Sequence, residues 1–262
     1  MTVKTPITLF PEHSPLLLTR RAAMVAAAAS GAVLLTGCGP SSRQDVPSNP
    51  TQAPTKSEPA DDSKHSLGPE PKKPVLYLYP EAPTDLEVRL EYNGQLTYCY
   101  PEPERRGKVA IWRVHAATDG TLTDASGRHY PSLFWEGKNA PALTQNEGFV
   151  VETGQETAFL EHKLALLGLT QREAADFITY WAPQLAARSR SLVTFATDWY
   201  TQVVRYTLTD TVTGAVITPD TFIRVFMLIG DAPAGGVPEQ NLTTAPERTG
   251  FTAVEWGGAL LS

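Results

Sequence analysis

Between residues 84 and 100 apolar and polar side chains alternate. Leu86, Val88, Leu90 and Tyr92 are interleaved with Asp85, Glu87, Arg89 and Glu91. A period of two places one set on a single face, so this stretch predicts a half-buried strand. Asn93-Gly94 supplies the positive-φ pair of a tight hairpin, and Leu96, Tyr98 and Tyr100 continue the inward set on the return strand. Cys99 then falls on the opposite face with Gln95 and Thr97. Residues 74–79 read as a short apolar strand, 108–115 as another, and Asp119-Gly120 as a second hairpin turn.

The period changes in the middle of the chain. Thr153-Gly-Gln-Glu156 and Thr170-Gln-Arg-Glu173 both have the spacing of a capping box, Thr followed by Glu at i+3. Leu160, Leu164 and Leu167 mark one helix, ending near Gly168 at the C′ position. Ala174, Phe177, Ile178 and Trp181 mark a second at i, i+3, i+4 and i+7. Pro183 should end or kink it, because proline lacks an amide proton and clashes with the preceding turn. Strand patterns return at 192–197, 203–208, 222–229 and 251–256. The stretch 222–229 is apolar on both faces except at Arg224, which predicts a central strand covered on both sides. Strands, two helices, then strands indicate an α+β fold: a mostly antiparallel sheet or sandwich with a helical hairpin inserted at about 154–187 and packed on one side.

The N-terminus has a different character. Lys4, Arg20 and Arg21 precede an Ala-rich apolar run over residues 22–36, interrupted only by Ser30 and Gly31. A basic region followed by an apolar stretch of about 15 residues reads as a secretory signal, and is shorter than the roughly 20 residues of a spanning helix. Leu35-Thr36-Gly37-Cys38 resembles the lipobox of bacterial lipoproteins, in which a peptidase cleaves before the cysteine and the thiol takes a diacylglyceryl group. Thr19-Arg20-Arg21 also looks like a twin-arginine export signal, from which Ala23 and Met24 depart, so the export route stays open. Residues 39–73 carry seven prolines and no aromatic residue. Such a segment buries too little to offset its ordering entropy and spans roughly 35 Å as a flexible chain. The expected organisation is a signal peptide over 1–37, a lipidated Cys38 with a disordered tether to 73, and one extracytoplasmic domain over 74–262. The expected location is the outer face of the cell membrane, held by lipid.

Charge agrees with that placement. The chain carries 22 Lys+Arg against 28 Asp+Glu, a net charge of −6, which excludes the basic footprint of a nucleic-acid binder. Within 74–262 the balance is 14 against 22, so an anionic lipid surface repels the domain and the lipid alone provides membrane contact. Two cysteines are too few for a disulfide scaffold. With lipid on Cys38, Cys99 is a lone thiol.

The domain resembles a family of uncharacterised bacterial proteins, often secreted or lipoprotein-anchored. The resemblance rests on Lys73-Pro-Val-Leu-Tyr-Leu-Tyr-Pro80, Leu133-Phe-Trp-Glu-Gly137, Ile223-Arg-Val-Phe-Met227 and Arg248-Thr-Gly-Phe-Thr-Ala-Val-Glu-Trp-Gly-Gly258. Leu166-Leu-Gly-Leu-Thr-Gln-Arg-Glu173 and Tyr180-Trp-Ala-Pro183 match its helical part. It spans about 73–258 and implies one continuous domain, with no catalytic residues carried over.

Catalytic signatures are absent from the sequence: no Gly-x-Ser-x-Gly elbow, no His-Glu-x-x-His and no phosphate-cradling Gly-x-x-x-x-Gly-Lys loop. His115, His129 and His162 are scattered, so no metal or other cofactor is expected. Cys99 with one of them would make a thiol nucleophile, against a plainer reading as a small strand residue. Two carboxylates stand out. Glu136 and Glu255 each sit beside a tryptophan in an apolar segment, which requires a raised pKa or a cationic or hydrogen-bonding partner. As a pair they would serve glycoside cleavage; alternatively Glu255 or Glu136 neutralises Arg224. Trp112 and Trp181 have core spacing, leaving Trp135, Trp199 and Trp256 as potential sugar platforms. The leading expectation is a lipid-anchored binding or structural module with a cell-envelope glycan or protein partner. The alternative is an envelope-directed hydrolase on glycans using Glu136 and Glu255.

Overall fold

A computed structural model describes residues 68–261. The strands are β1 (Lys72–Tyr79), β2 (Thr84–Tyr92), β3 (Gln95–Tyr100), β4 (Glu104–Arg106), β5 (Val109–Ala116), β6 (Leu122–Thr123) and β7 (His129–Tyr130). They continue with β8 (Leu133–Lys138), β9 (Phe149–Glu152), β10 (Arg190–Phe195), β11 (Val204–Asp210), β12 (Val216–Ile217), β13 (Thr221–Asp231) and β14 (Thr252–Leu260). The helices are α1 (Glu156–Leu166), α2 (Gln171–Ala186) and α3 (Thr197–Val203).

Two sheets form. One runs β3-β8-β1-β14-β13-β10-β9; the other runs β12-β11-β2-β5-β6-β7, with β4 added on β5. Pairing is antiparallel except between β13 and β14, which run parallel. The first sheet is apolar on both faces. Leu76, Leu78, Trp135, Phe226, Leu228 and Ala253 meet Leu86, Val88, Leu90, Trp112 and Val114 of the second sheet in one core. On its other face Val75, Val193, Ile223, Val225, Met227 and Trp256 meet Leu160, Leu164, Phe177 and Trp181 of α1 and α2 in another. The layers are therefore helices, sheet, sheet. The second sheet turns Glu87, Arg89, Arg113 and His115 outward, which explains the alternation of β2.

The corner at Asn93-Gly94 is not a hairpin. β2 pairs with β5 and β11, whereas β3 pairs with β8 in the other sheet. Neither residue takes a positive φ, and the Asn93 amide donates to Val203 O at 2.8 Å. Burying both apolar sets in one intersheet core requires the chain to cross over rather than fold back. The expected facing of β3 is inverted as well. A bulge between Leu96 and Tyr98 shifts the register, so Cys99 is buried and Tyr98 and Tyr100 are each 54% exposed.

Only one of the two expected capping boxes forms. Thr170 Oγ1 accepts from the Glu173 amide, and the Glu173 carboxylate accepts from the Thr170 amide. At α1 the N-cap is Gln155 without a side-chain bond, because Thr153 Oγ1 donates to Arg188 O instead. Gly168, at φ +87°, turns the chain out of α1. Pro183 does not terminate α2, which runs on to Ala186. One backbone bond is lost there, but Trp181, Ala182 and Leu185 are held in the core. Gly258 is needed because a Cβ there would lie 2.6 Å from both the Trp181 ring and Met227 O.

The folded region also begins earlier than residue 74. Pro69 and Pro71 are buried, Gly68 N donates to Ala140 O at 3.0 Å, and Gly137 N donates to Pro71 O at 3.2 Å. A chain beginning at Pro74 should accordingly be less stable than one beginning at Gly68 by about 2 kcal/mol, at roughly 1 kcal/mol for each lost hydrogen bond. Chemical denaturation of the two truncations checks this; equal midpoints and slopes would show that 68–73 adds nothing.

Candidate functional site

Glu255 lies in the middle of β14 with no exposed surface and faces the second sheet. A carboxylate there must have all its acceptor capacity used. Its Oε1 accepts from Tyr200 Oη at 2.8 Å and Tyr206 Oη at 2.7 Å. Its Oε2 accepts from Arg224 Nε at 2.7 Å and lies 2.6 Å from Nη2. Arg224 is the direct neighbour of Glu255 across the parallel β13–β14 ladder. Its Nη1 donates to Val204 O at 3.2 Å, and its guanidinium lies 5.0 Å from the Tyr200 ring centroid and 5.2 Å from that of Phe222. Trp135 Nε1 donates to Tyr206 Oη at 2.8 Å, extending the network to β8. Burial followed by the Glu255 charge pushes both phenols well above their ordinary range, so they remain donors. Burial works against the Arg224 charge, but Glu255 overrides it and raises the guanidinium pKa.

The two glutamates singled out for glycoside cleavage are not brought together. Glu136 shares the helix-side face of the first sheet with Phe134, opposite to the face of Trp135 and Glu255. It stands across from Tyr98, and after burial its charge raises the Tyr180 phenol. The structure joins Arg224 to Glu255 and leaves Glu136 apart. Trp135 and Trp256 are wholly buried and cannot serve as surface platforms. Cys99 packs between the sheets, where burial raises its thiol to about 11, far from a nucleophile's range. His115 bonds Asp85 and His129 bonds Thr123 on the outer face of the second sheet, and His162 is exposed on α1. Among the described residues no cluster of three His, Cys, Asp or Glu side chains is placed to hold a metal. Cys38 lies outside the described residues.

A second buried pair has no local signature in the sequence. Glu173, 1% exposed, accepts from Arg248 Nη1 at 3.0 Å and also from Nη2, while Arg248 Nη2 donates to Gly168 O at 2.7 Å. The partners are 75 positions apart. Burial alone would raise the Glu173 carboxyl, but Arg248 and the Thr170 amide together hold it below its ordinary value.

One of two large grooves in the described residues is a notch beside Arg224; the other, of about 770 Å³, lies along residues 68–72 and Leu260. β10 pairs with β13 only as far as Phe195 opposite Met227, whereas β13 extends back to Thr221. At that point the chain leaves for α3: Ala196 N donates to Phe226 O at 2.7 Å, and Thr197 Oγ1 to Arg224 O at 3.3 Å. The space left along 221–226 forms a groove of about 810 Å³, bordered by Trp199, Asp198, Glu147 and the loops before β9 and β14. Its walls are fixed. Gln240 exchanges two hydrogen bonds of 2.9 Å with the backbone of Phe195, as a strand partner would. Thr194 Oγ1 donates to Glu147 O, Gly148 N to Pro238 O, and Ala245 N to Leu166 O. Trp199 is half-buried, its ring centroid 5.8 Å from that of Phe226, and it lines the groove. Trp199 is thus the one platform candidate that is not wholly buried, and the groove it lines exists because β10 stops short.

No protein-family model and no solved structure matches the chain. A protein of Butyrivibrio fibrisolvens described as "Uncharacterized protein in bglA 3'region" is 46% identical over 66 residues, covering 25% of this chain. The chain spans 65% of the length of that relative.

Two outcomes are expected. Glu255→Gln leaves Arg224 without its counter-charge and should lower stability by about 3–5 kcal/mol, whereas Glu136→Gln should change it by no more than about 0.5 kcal/mol. Denaturant unfolding of both variants checks this, and equal losses would contradict the placement. For Glu173 the folded pKa is depressed, so its stabilisation is complete above the unfolded value of about 4.3 and is lost as pH falls through the folded value. The stability gap between the parent and Arg248→Met should therefore be about 3–5 kcal/mol at pH 7 and narrow below about pH 4. A gap independent of pH would mean that Arg248 acts by packing alone.

Proposed function

We propose that this chain is a lipid-anchored extracytoplasmic binding module, tethered through Cys38, whose ligand seat is the notch beside Trp199. The observation that carries the reading is a groove of about 810 Å³ with walls pinned by backbone-directed bonds. That volume falls within the roughly 300–1,000 Å³ usual for ligand sites. Pinned walls lose little conformational entropy on binding, which favours recognition. The fold is mostly antiparallel sheet around two apolar cores, with the helical hairpin on one side. A rigid scaffold of this kind displays loops at its rim, where binding residues concentrate.

The alternative, hydrolysis of envelope glycans by Glu136 and Glu255, finds less support. Retaining and inverting enzymes both need two carboxyl groups flanking one bond, roughly 5–10 Å apart. Here the two face opposite sides of one sheet, and Glu255 is already saturated by three side chains.

Membrane placement rests on the lipobox at Cys38 after an apolar run, and on the acidic balance of the domain. No helix of the described residues is long and apolar enough to cross a membrane. Two or more acyl chains give stable anchoring where one does not. Cys38→Ala should release the protein from the membrane fraction or leave it unprocessed; a mature-sized band still sedimenting with membranes would remove the anchor from the reading. For the binding role, the full chain in detergent should cosediment with deproteinised envelope polymer from the source cells. Trp199→Ala should reduce the bound fraction at least tenfold, and equal retention of both would move the seat elsewhere.

A further inference from the structure

The chemistry of the notch is selective. Its polar lining is mainly neutral, with Thr144, Asn146, Asn241, Thr243 and Thr244 on the loop walls. Two carboxylates, Glu147 and Asp198, border it. The one cationic residue on the lining is Arg224, and its guanidinium is committed to Glu255 and to Val204 O, with 11% of the side chain exposed. An anionic ligand entering here would meet two carboxylates and no disposable cation. Phosphate, sulfate and uronate groups are therefore rejected on charge.

A cationic ligand suits the carboxylates but leaves the hydroxyls and amides of the walls without a use. A neutral polyol uses all three features. Vicinal hydroxyls donate in pairs to a carboxylate, in charge-assisted hydrogen bonds stronger than neutral ones. Its remaining hydroxyls exchange bonds with the Thr and Asn side chains. Its C–H face rests on an indole, which is apolar across the ring and has a polar N–H at one edge. Trp199 is the indole on this groove, and the Phe226 ring packs against it at a tilt of 40°.

We infer that the notch binds a neutral glycan, with Trp199 as the stacking surface and Asp198 and Glu147 as acceptors for paired hydroxyls. This names the ligand class for the seat proposed above and rests on that reading. Glu255 pairs with Arg224, so the one cationic side chain on the lining is already neutralised.

The test uses the full chain in neutral detergent and isothermal calorimetry at pH 7. The probes are three neutral glucose hexasaccharides (β-1,4, β-1,3 and α-1,4 linked), a hexagalacturonate and hexalysine. At least one neutral hexasaccharide should bind with Kd between about 10 μM and 1 mM, and the hexagalacturonate should bind at least tenfold more weakly. Trp199→Ala should weaken the neutral ligand at least tenfold. Asp198→Asn, at an exposed position with little effect on folding, should weaken it about three- to tenfold and narrow the margin against the hexagalacturonate. If hexalysine or the hexagalacturonate binds best and Trp199→Ala abolishes it, the notch stands as a seat and the glycan assignment is overturned. If a neutral hexasaccharide binds equally to parent, Trp199→Ala and Asp198→Asn, the seat itself is wrong. Absence of binding by all three neutral probes also overturns the assignment, while envelope cosedimentation reports separately on the seat.

Discussion

A single buried carboxylate organises the space between the two sheets. Glu255 enters from the parallel strand β14, takes its counter-charge from β13, and accepts phenols from α3 and β11. Through Tyr206 it also reaches Trp135 on β8. Four elements besides its own strand are therefore oriented by one group. A buried ion pair has no large net advantage over apolar residues of the same shape, since desolvation offsets most of the attraction. What it imposes is geometry. Any other registration of the second sheet would leave a carboxylate or a guanidinium unsatisfied in an apolar layer. The parallel register matters for the same reason, because it sets Arg224 directly beside Glu255.

Glu173 and Arg248 do for the helix layer what Glu255 does between the sheets. Arg248 lies just before β14, and its fork joins the first turn of α2 to the carbonyl that ends α1. Strand β14 is thus tied at its entrance to the helices and at its centre to the second sheet. This accounts for the residue types of the stretch 248–258. Arg248 and Glu255 are ionic anchors, Trp256 packs edge-on against Phe177, and Gly258 leaves room for the Trp181 ring. A motif rich in charge and aromatic rings looked like chemistry, and in three dimensions it is construction.

The open chemistry lies where construction stops. Because β10 ends at Phe195, residues 221–226 of β13 have no strand partner on that side among the described residues. Ala196 N and Thr197 Oγ1 meet them there, while Gln240 from a loop takes up the backbone of Phe195. The groove inherits rigid walls from that substitution. It also inherits a neutral floor, since the one arginine there is already paired.

The sequence by itself determined the local elements and the layer types. Period-two and period-four patterns depend on which face is buried, and the chain records that directly in β2, β13 and α2. The demand that Arg224 have an acid was legible too, because a lone charge in an apolar strand cannot remain unpaired. Tertiary structure decided the rest. Asn93-Gly94 reads as a hairpin locally, yet sheet membership is settled by which core accepts β3, and a bulge then reverses its faces. Capping spacing at Thr153 was overruled by Arg188 O, and the helix break at Pro183 by the burial of Trp181 and Leu185. Glu136 and Glu255 share a local context, and only the parity of their strands within one sheet shows that they face opposite sides. The notch has no sequence signature, because it is made by the end of one strand beside the continuation of another, and strand length is set by packing and not by the pattern along either strand.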